Sequence, residues 1–252
     1  MITYAESIRH LRVSGTYLCK HLFFTPILDW VQTMKQIKLI FLDIDGVIAH
    51  QTSRFAAQLA GYDIYTQAHK HHQLDTNILH LIQYLQDTHQ ASIVISSKAW
   101  SLDTIQEQAE LFANTGVELR LFNEVEGMYK VDYTIPLAKD RLLALLPEIV
   151  KHDYTSVHGR KYTPSEIDDN LYDIYKNQRG SFIQRYLDKL KDQGYDVDYI
   201  CIDDDGDYTV IDPLRFTQVK RGEMTNGFNM SHFQKVDDHF SKAVIHPEAK
   251  AA

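Results

Sequence analysis

Apolar positions along the chain fall into two kinds of run, and their alternation predicts the architecture. Short, nearly continuous runs of β-formers lie at Leu39–Leu42, Ser92–Ile95, Val117–Phe122, Tyr199–Ile202 and Phe216–Lys220. Runs of this length and composition suit strands buried on both faces of a parallel sheet. Between them, apolar residues recur at helical spacing. Asp75 is placed to cap a helix through Ile78, Leu79, Ile82 and Leu85, and Ser101 to cap the next, with Ile105, Ala109 and Leu111 facing inward. Phe182, Ile183, Tyr186, Leu187 and Leu190 define a helix from Arg179 to Gln193, which Gly194 stops. This alternation predicts an α/β fold, a doubly wound (Rossmann-like) parallel sheet of about five strands.

The interval from Gly127 to Gln178 is too long for a simple crossover and carries its own pattern. Ile135 to Val150 has helical periodicity, with Pro147 as a break near its end. Thr163-Pro164-Ser165-Glu166 combines a capping box with proline at the first helical position, so a helix through Ile167, Leu171 and Ile174 should follow. The expected organisation is an N-terminal helical segment (1–35), a core α/β domain (36–126 and 179–245) and a helical, cap-like insertion (127–178) over the sheet's C-terminal edge.

A length of 252 residues suffices for one large domain with an insertion. The formal net charge of -8 argues against a general nucleic-acid binder, which needs many phosphate-facing cations, although it leaves room for a local basic groove. Of the two cysteines, Cys19 and Cys201, the second lies in an apolar run and reads as a small buried hydrophobe, so nothing demands an oxidising compartment. The most apolar stretch, Tyr17 to Trp30, is interrupted by Lys20, Pro26 and Asp29 and reads as a packed helix rather than a membrane anchor. With no signal peptide or spanning helix expected, a cytoplasmic protein is expected; no pattern fixes an oligomeric state.

The chemistry concentrates where strands end. The run from Lys38 to Leu42 stops at Asp43-Ile44-Asp45-Gly46-Val47. Open α/β sheets place their ligand crevice at this edge. Two carboxylates there repel each other and are costly to desolvate unless a cation or a shared proton neutralises them. The bland alternative is a solvated pair capping a strand. Ser96-Ser97 closes the second run with hydroxyls able to bind a phosphate oxygen, a weak signal because serine after a strand is commonplace. Tyr199–Ile202 ends in Asp203-Asp204-Asp205, and clustered carboxylates need a cation. Arg179 opens a helix and supplies a positive charge.

The order acidic pair, hydroxyl, basic residue, acidic cluster resembles the haloacid dehalogenase superfamily, from about Lys38 to Phe228. It is most similar to the branch found beside RNA-repair proteins, through Asp43-Ile44-Asp45-Gly46-Val47, Ser96-Ser97 with Trp100, Arg179-Gly180-Ser181-Phe182-Ile183, and Asp203-Asp204. Trp100 sits one position later than that pattern and lacks a following arginine. Arg179 stands where lysine is commoner, and Lys176 or Lys139 are the alternatives. The resemblance implies a Mg²⁺-dependent phosphomonoester hydrolase. In it Asp43 is the nucleophile that forms an aspartyl-phosphate, and Asp45 is the general acid/base, its backbone carbonyl on the metal. Asp43 and Asp204 ligate Mg²⁺, with Asp203 orienting or ligating, while Ser96, Ser97 and Arg179 hold the phosphate.

The substrate expected is a phosphorylated one, a phosphoprotein or a small phosphomonoester. Phosphotyrosine is favoured because Tyr129, Tyr133, Tyr154, Tyr162, Tyr172 and Tyr175 of the insertion can form an aromatic pocket, unless they pack its core. The alternatives are a nucleic-acid-end or nucleotide phosphatase, and a non-catalytic binding module that keeps the fold. His69-Lys70-His71-His72 reads as a solvated run more readily than as a metal site. Asp205 and Asp207 read as turn residues, and Lys151, His152, His158, Arg160 and Lys161 form a local basic run.

Overall fold

The apolar run ahead of Asp43 forms the centre of a parallel sheet. The computed structural model describes residues 34–147, 150, 163–220 and 227–243. The expected N-terminal helical segment up to residue 33 with Cys19, the basic run Lys151–Lys161, and Tyr154 and Tyr162 lie outside the described residues. Within them, β1 (Lys35–Leu42), β2 (Ser92–Ile95), β3 (Tyr195–Asp203) and β4 (Phe216–Gln218) pair all-parallel in the order β2-β1-β3-β4. Leu42 pairs with Ile95 on one side and Ile202 on the other. This register brings the next residues, Asp43, Ser96 and Asp203, to one level at the C-terminal edge.

Helices cover both faces: α1 (Gln51–Leu59), α2 (Thr76–His89), α3 (Ile105–Ala113), α4 (Lys139–Leu145), α5 (Pro164–Tyr175), α6 (Arg179–Asp192) and α7 (Met230–Ala243). Side chains alternate across a strand, so β1 serves two cores. Ile40 and Leu42 pack with Leu79, Ile82 and Leu85 of α2, Phe112 of α3 and Phe240 of α7. Leu39 and Phe41 pack with Phe182, Ile183, Tyr186 and Leu190 of α6. That double burial is why the run carries no polar residue before Asp43. Among the described residues no helix is long and apolar enough to cross a membrane, and Cys201 is a buried free thiol.

The ends of several elements differ from expectation, each for a local reason. The segment Val117–Phe122 forms no strand; it touches β2 through a single parallel bridge, Ile93 to Leu121. The Arg120 N–H donates to the Gln86 side-chain oxygen at 3.2 Å rather than to β2, while the Arg120 carbonyl is shared between Gln86 Nε2 at 2.7 Å and Ile93 N–H at 2.9 Å. Thr104, not Ser101, caps α3, through a capping box with Glu107. The helix expected over Ile135–Val150 starts later, at Lys139, and breaks at Pro147 as its sequence indicates. Leu146 turns extended (ψ 131), as a residue before proline must to avoid the Pro147 ring. Asp75 does cap α2, and Thr163 with Glu166 and Pro164 starts α5. Leu142 and Leu146, from α4 and its end, share a small core with Leu171 of α5 and Val210 of the loop after β3.

Phe41 is wholly buried and meets Tyr186 and Tyr199 edge-on, with centroids 5.2 and 5.9 Å away. Phe41→Ala should therefore destabilise the fold by about 3–5 kcal/mol in urea unfolding followed by circular dichroism. A loss below about 1 kcal/mol would mean that this face of β1 is not the closely packed one described.

Candidate functional site

The parallel ladder continues one residue past β1 and so locks two carboxylates together. Asp43 N–H donates to Ile202 O at 2.9 Å and Ser96 N–H to Leu42 O at 3.0 Å. Asp43 and Asp203 are both fully buried. Asp203 is saturated: Oδ2 accepts from Arg179 Nη1 at 2.5 Å and from the Tyr208 hydroxyl at 2.6 Å, while Oδ1 accepts from Asp205 N–H at 2.8 Å. Asp43 is not. Its Oδ1 lies 3.2 Å from Arg179 Nη1, yet neither carboxylate oxygen has a hydrogen-bond partner.

Asp204 completes the cluster through Gly46. A side chain at position 46 would collide with Asp204 Oδ2, and Gly46 also has φ +73, so glycine there permits both the turn after Asp45 and the close carboxylate. One oxygen from each of Asp43, Asp203 and Asp204 falls within a 4.8 Å set. Hard oxygen donors gathered at such spacing, with both Asp43 oxygens lacking a hydrogen-bond partner, could hold a hard cation such as Mg²⁺.

Arg179 is delivered by the start of α6. Asp207 accepts from the Arg179 N–H at 3.1 Å through its carboxylate, and from Gly180 N–H at 3.2 Å through its carbonyl. Gly180 lets the helix approach Tyr208, whose Cα would lie 3.1 Å from any added Cβ. Lys139 and Lys176, the alternatives for this role, instead pair with Asp169 and Asp173 of α5, at 2.5 and 2.6 Å. The cation beside Asp43 is therefore Arg179.

One guanidinium serves three carboxylates here, and the electrostatics follow. Burial, then the charge of Asp203, holds the Asp43 carboxyl well above the usual range against the pull of Arg179. Burial pushes Asp203 up to about 6, with Arg179 and the Tyr208 hydroxyl opposing, and burial likewise raises Asp204. Burial disfavours the Arg179 cation, but Asp43 and Asp203 outweigh it and hold its proton firmly.

Asp45 lives in a different environment. Its side chain is 39% exposed, and Oδ1 accepts from Trp100 Nε1 at 2.8 Å and from the Arg54 guanidinium. Oδ2 has no hydrogen-bond partner among the described residues. Ser96 Oγ is buried beside Asp43 with no partner, while the Ser96 carbonyl accepts from the Tyr133 hydroxyl. Ser97 is buried too, its carbonyl accepting from Ser101 Oγ at 2.6 Å. His69, His71 and His72 gather ring against ring with Tyr62, whose ring stacks on His72 at 3.5 Å. Among the described residues they form no three-ligand metal set.

Arg54, Tyr208 and Tyr133 have site contacts that the sequence did not announce. For Arg54 and Tyr208 the cue is proximity in chain to Asp45 or Asp203; Tyr133 stood among the insertion tyrosines, but nothing there pointed to its hydrogen bond with the Ser96 carbonyl. Comparison of the chain with protein-family models, with curated proteins and with solved structures found no match. The functional reading therefore stands on this geometry and on the motif resemblance.

A pH dependence follows with a definite sign. Folding raises the Asp43 and Asp203 pKa values, so the metal-free fold holds protons that the unfolded chain releases. That stabilisation is complete below the ordinary value of 3.8 and is lost as pH rises through about 6. The Tm of metal-free protein should fall across this window, and Mg²⁺ should raise it more at the upper end, where it no longer competes with protons. A Mg²⁺ shift in Tm that is equal throughout the window would count against ligation by these carboxylates.

Proposed function

We propose that this chain is a Mg²⁺-dependent phosphomonoester hydrolase of the haloacid dehalogenase type, with Asp43 as its nucleophile. The observation that carries this reading is the state of the Asp43 carboxylate: fully buried at a strand end, free of hydrogen bonds, and beside Arg179 and two further carboxylates. A carboxylate held this way is poorly suited to a structural role, because Arg179 compensates its desolvation only in part. It is suited to attack, because its oxygens are held by little besides the Arg179 ion pair.

In the proposed reaction an Asp43 oxygen bonds to phosphorus as the bond to the leaving oxygen breaks. Asp45, fixed through Oδ1 by Trp100 and Arg54, delivers a proton from Oδ2 to that oxygen. Arg179 and Ser96 Oγ would bind the phosphoryl oxygens as charge gathers there, a role supported by the Arg179 ion pair with Asp43 and the unpartnered Ser96 hydroxyl. Water then attacks the aspartyl-phosphate, and Asp45 accepts its proton. Asp43, Asp203, Asp204 and the Asp45 carbonyl are the groups that would hold Mg²⁺, which when bound neutralises phosphoryl charge. The packing of α4 and α5 on Val210, in the loop after β3, supports the reading of residues 127–178 as a cap.

The aromatic argument for a phosphotyrosine ring weakens. Tyr129 donates to the carbonyls of Leu102 and Asp103, Tyr133 donates to Ser96, and Tyr172 and Tyr175 pack on the small core of α4 and α5. The described tyrosines of the insertion thus serve packing, which favours a small phosphomonoester over a phosphoprotein.

Asp43→Asn should reduce turnover of p-nitrophenyl phosphate to background and leave the fold intact. It should also raise the Tm of the metal-free protein by removing one of two mutually repelling buried carboxylates. Full activity would remove the covalent mechanism from consideration.

Asp45→Asn should act selectively. With alkyl phosphates, whose leaving oxygen needs a proton, kcat should fall by about 10²–10⁴-fold, and with p-nitrophenyl phosphate by much less. A uniform loss across leaving groups would rule out Asp45 as the acid.

A further inference from the structure

A second charged cavity opens on the exposed side of Asp45. It encloses about 390 Å³, and its walls include Asp45, Arg54, Tyr65, Lys70 and Trp100. A space of that size suits a sugar or a nucleoside. Two of its side chains are cations, in a chain whose formal net charge is -8.

The two cations stand differently. Arg54 is bound to Asp45, but its Nε is buried and has no partner. Lys70 projects from the 3-10 helix Gln67–Gln73, which is held down by hydrogen bonds from Gln73 Nε2 to Ile64 O at 2.7 Å and from Ser53 Oγ to Gln73 O at 2.6 Å. Its ammonium lies 4.5 Å from the centroid of the Trp100 ring and donates to Ala99 O at 3.0 Å. Among the described residues no carboxylate forms an ion pair with it. Burial lowers its pKa against the attraction of Asp45, as expected of a half-buried cation short of negative charge.

An anion in this cavity would relieve that deficit. We propose that the cavity is the leaving-group subsite of the hydrolase, and that it takes an alcohol carrying a second phosphate, bound by Lys70 and Arg54. The subsite rests on the hydrolase reading, because it is Asp45 as proton donor that marks this side as the one the leaving oxygen faces. A phosphate dianion matches two cations, and the fork of a guanidinium suits its oxygens. Sugars and nucleosides could each present that second phosphate, so the test includes both.

The experiment compares kcat/KM with Mg²⁺ for fructose bisphosphate against fructose monophosphate, and for adenosine bisphosphate against adenosine monophosphate. The full chain is used as wild type, Lys70→Met and Lys70→Arg. Wild type should prefer the bisphosphate in at least one pair, and the responding pair identifies the source. Lys70→Met should cut that preference by about 10-fold or more, the scale of a lost charge-assisted hydrogen bond. Lys70→Arg should restore most of it. No preference in either pair, or a preference unmoved by Lys70→Met, overturns the subsite while turnover of p-nitrophenyl phosphate keeps the hydrolase. Absence of any turnover by wild type, p-nitrophenyl phosphate included, overturns the hydrolase reading and the subsite with it.

Discussion

Two carboxylates buried at adjacent strand ends repel each other strongly unless a cation stands between them, and Arg179 is that cation. Much of the surrounding structure places it. Asp207 binds the first turn of α6 so that the helix begins at Arg179, and Gly180 lets that turn lie against Tyr208. Tyr208 in turn donates to Asp203. The compensation is partial, because Asp204 adds a third carboxylate and Asp43 keeps two unsatisfied oxygens. A site left short of positive charge in this way could hold a metal ion, at a cost in stability.

The two aspartates of the Asp43-Ile44-Asp45 step illustrate how environment divides labour. Asp43 sits at the level of the ladder, fully buried, with its proton affinity raised by burial and by Asp203. Asp45 lies past the ladder in the turn that Gly46 allows, exposed on one side and fixed on the other by Trp100 and Arg54. One aspartate is thus wholly buried beside Arg179, and the other is half-exposed with one oxygen fixed and one facing solvent. The exposed side of Asp45 opens on a cavity lined by Lys70 and Arg54.

Motif spacing and periodicity made much of this readable before the structure. Asp75 as the cap of α2, the Thr163 capping box, the stop at Gly194 and strand β2 all follow from local chemistry. Where the pattern misled, a competing local interaction won. Gln86 Oε1 took the N–H of Arg120 within Val117–Phe122, which stayed a bridge, and α4 begins only at Lys139, while its break at Pro147 was legible.

The sequence by itself determined the parallel α/β character of the domain and the acidic residues that end its strands, because both are written in runs of neighbouring residues whose burial depends on short-range geometry. Only the tertiary structure decided which cation meets those carboxylates. Arg179 meets Asp43, while Lys139 and Lys176 pair elsewhere. It also decided that Trp100 and Arg54 converge on Asp45 from separate segments, and that Lys70 stands over Trp100. These pairings depend on the strand register and on how each loop leaves the sheet. Those features are set by packing across the whole domain, and no spacing within a single segment encodes them.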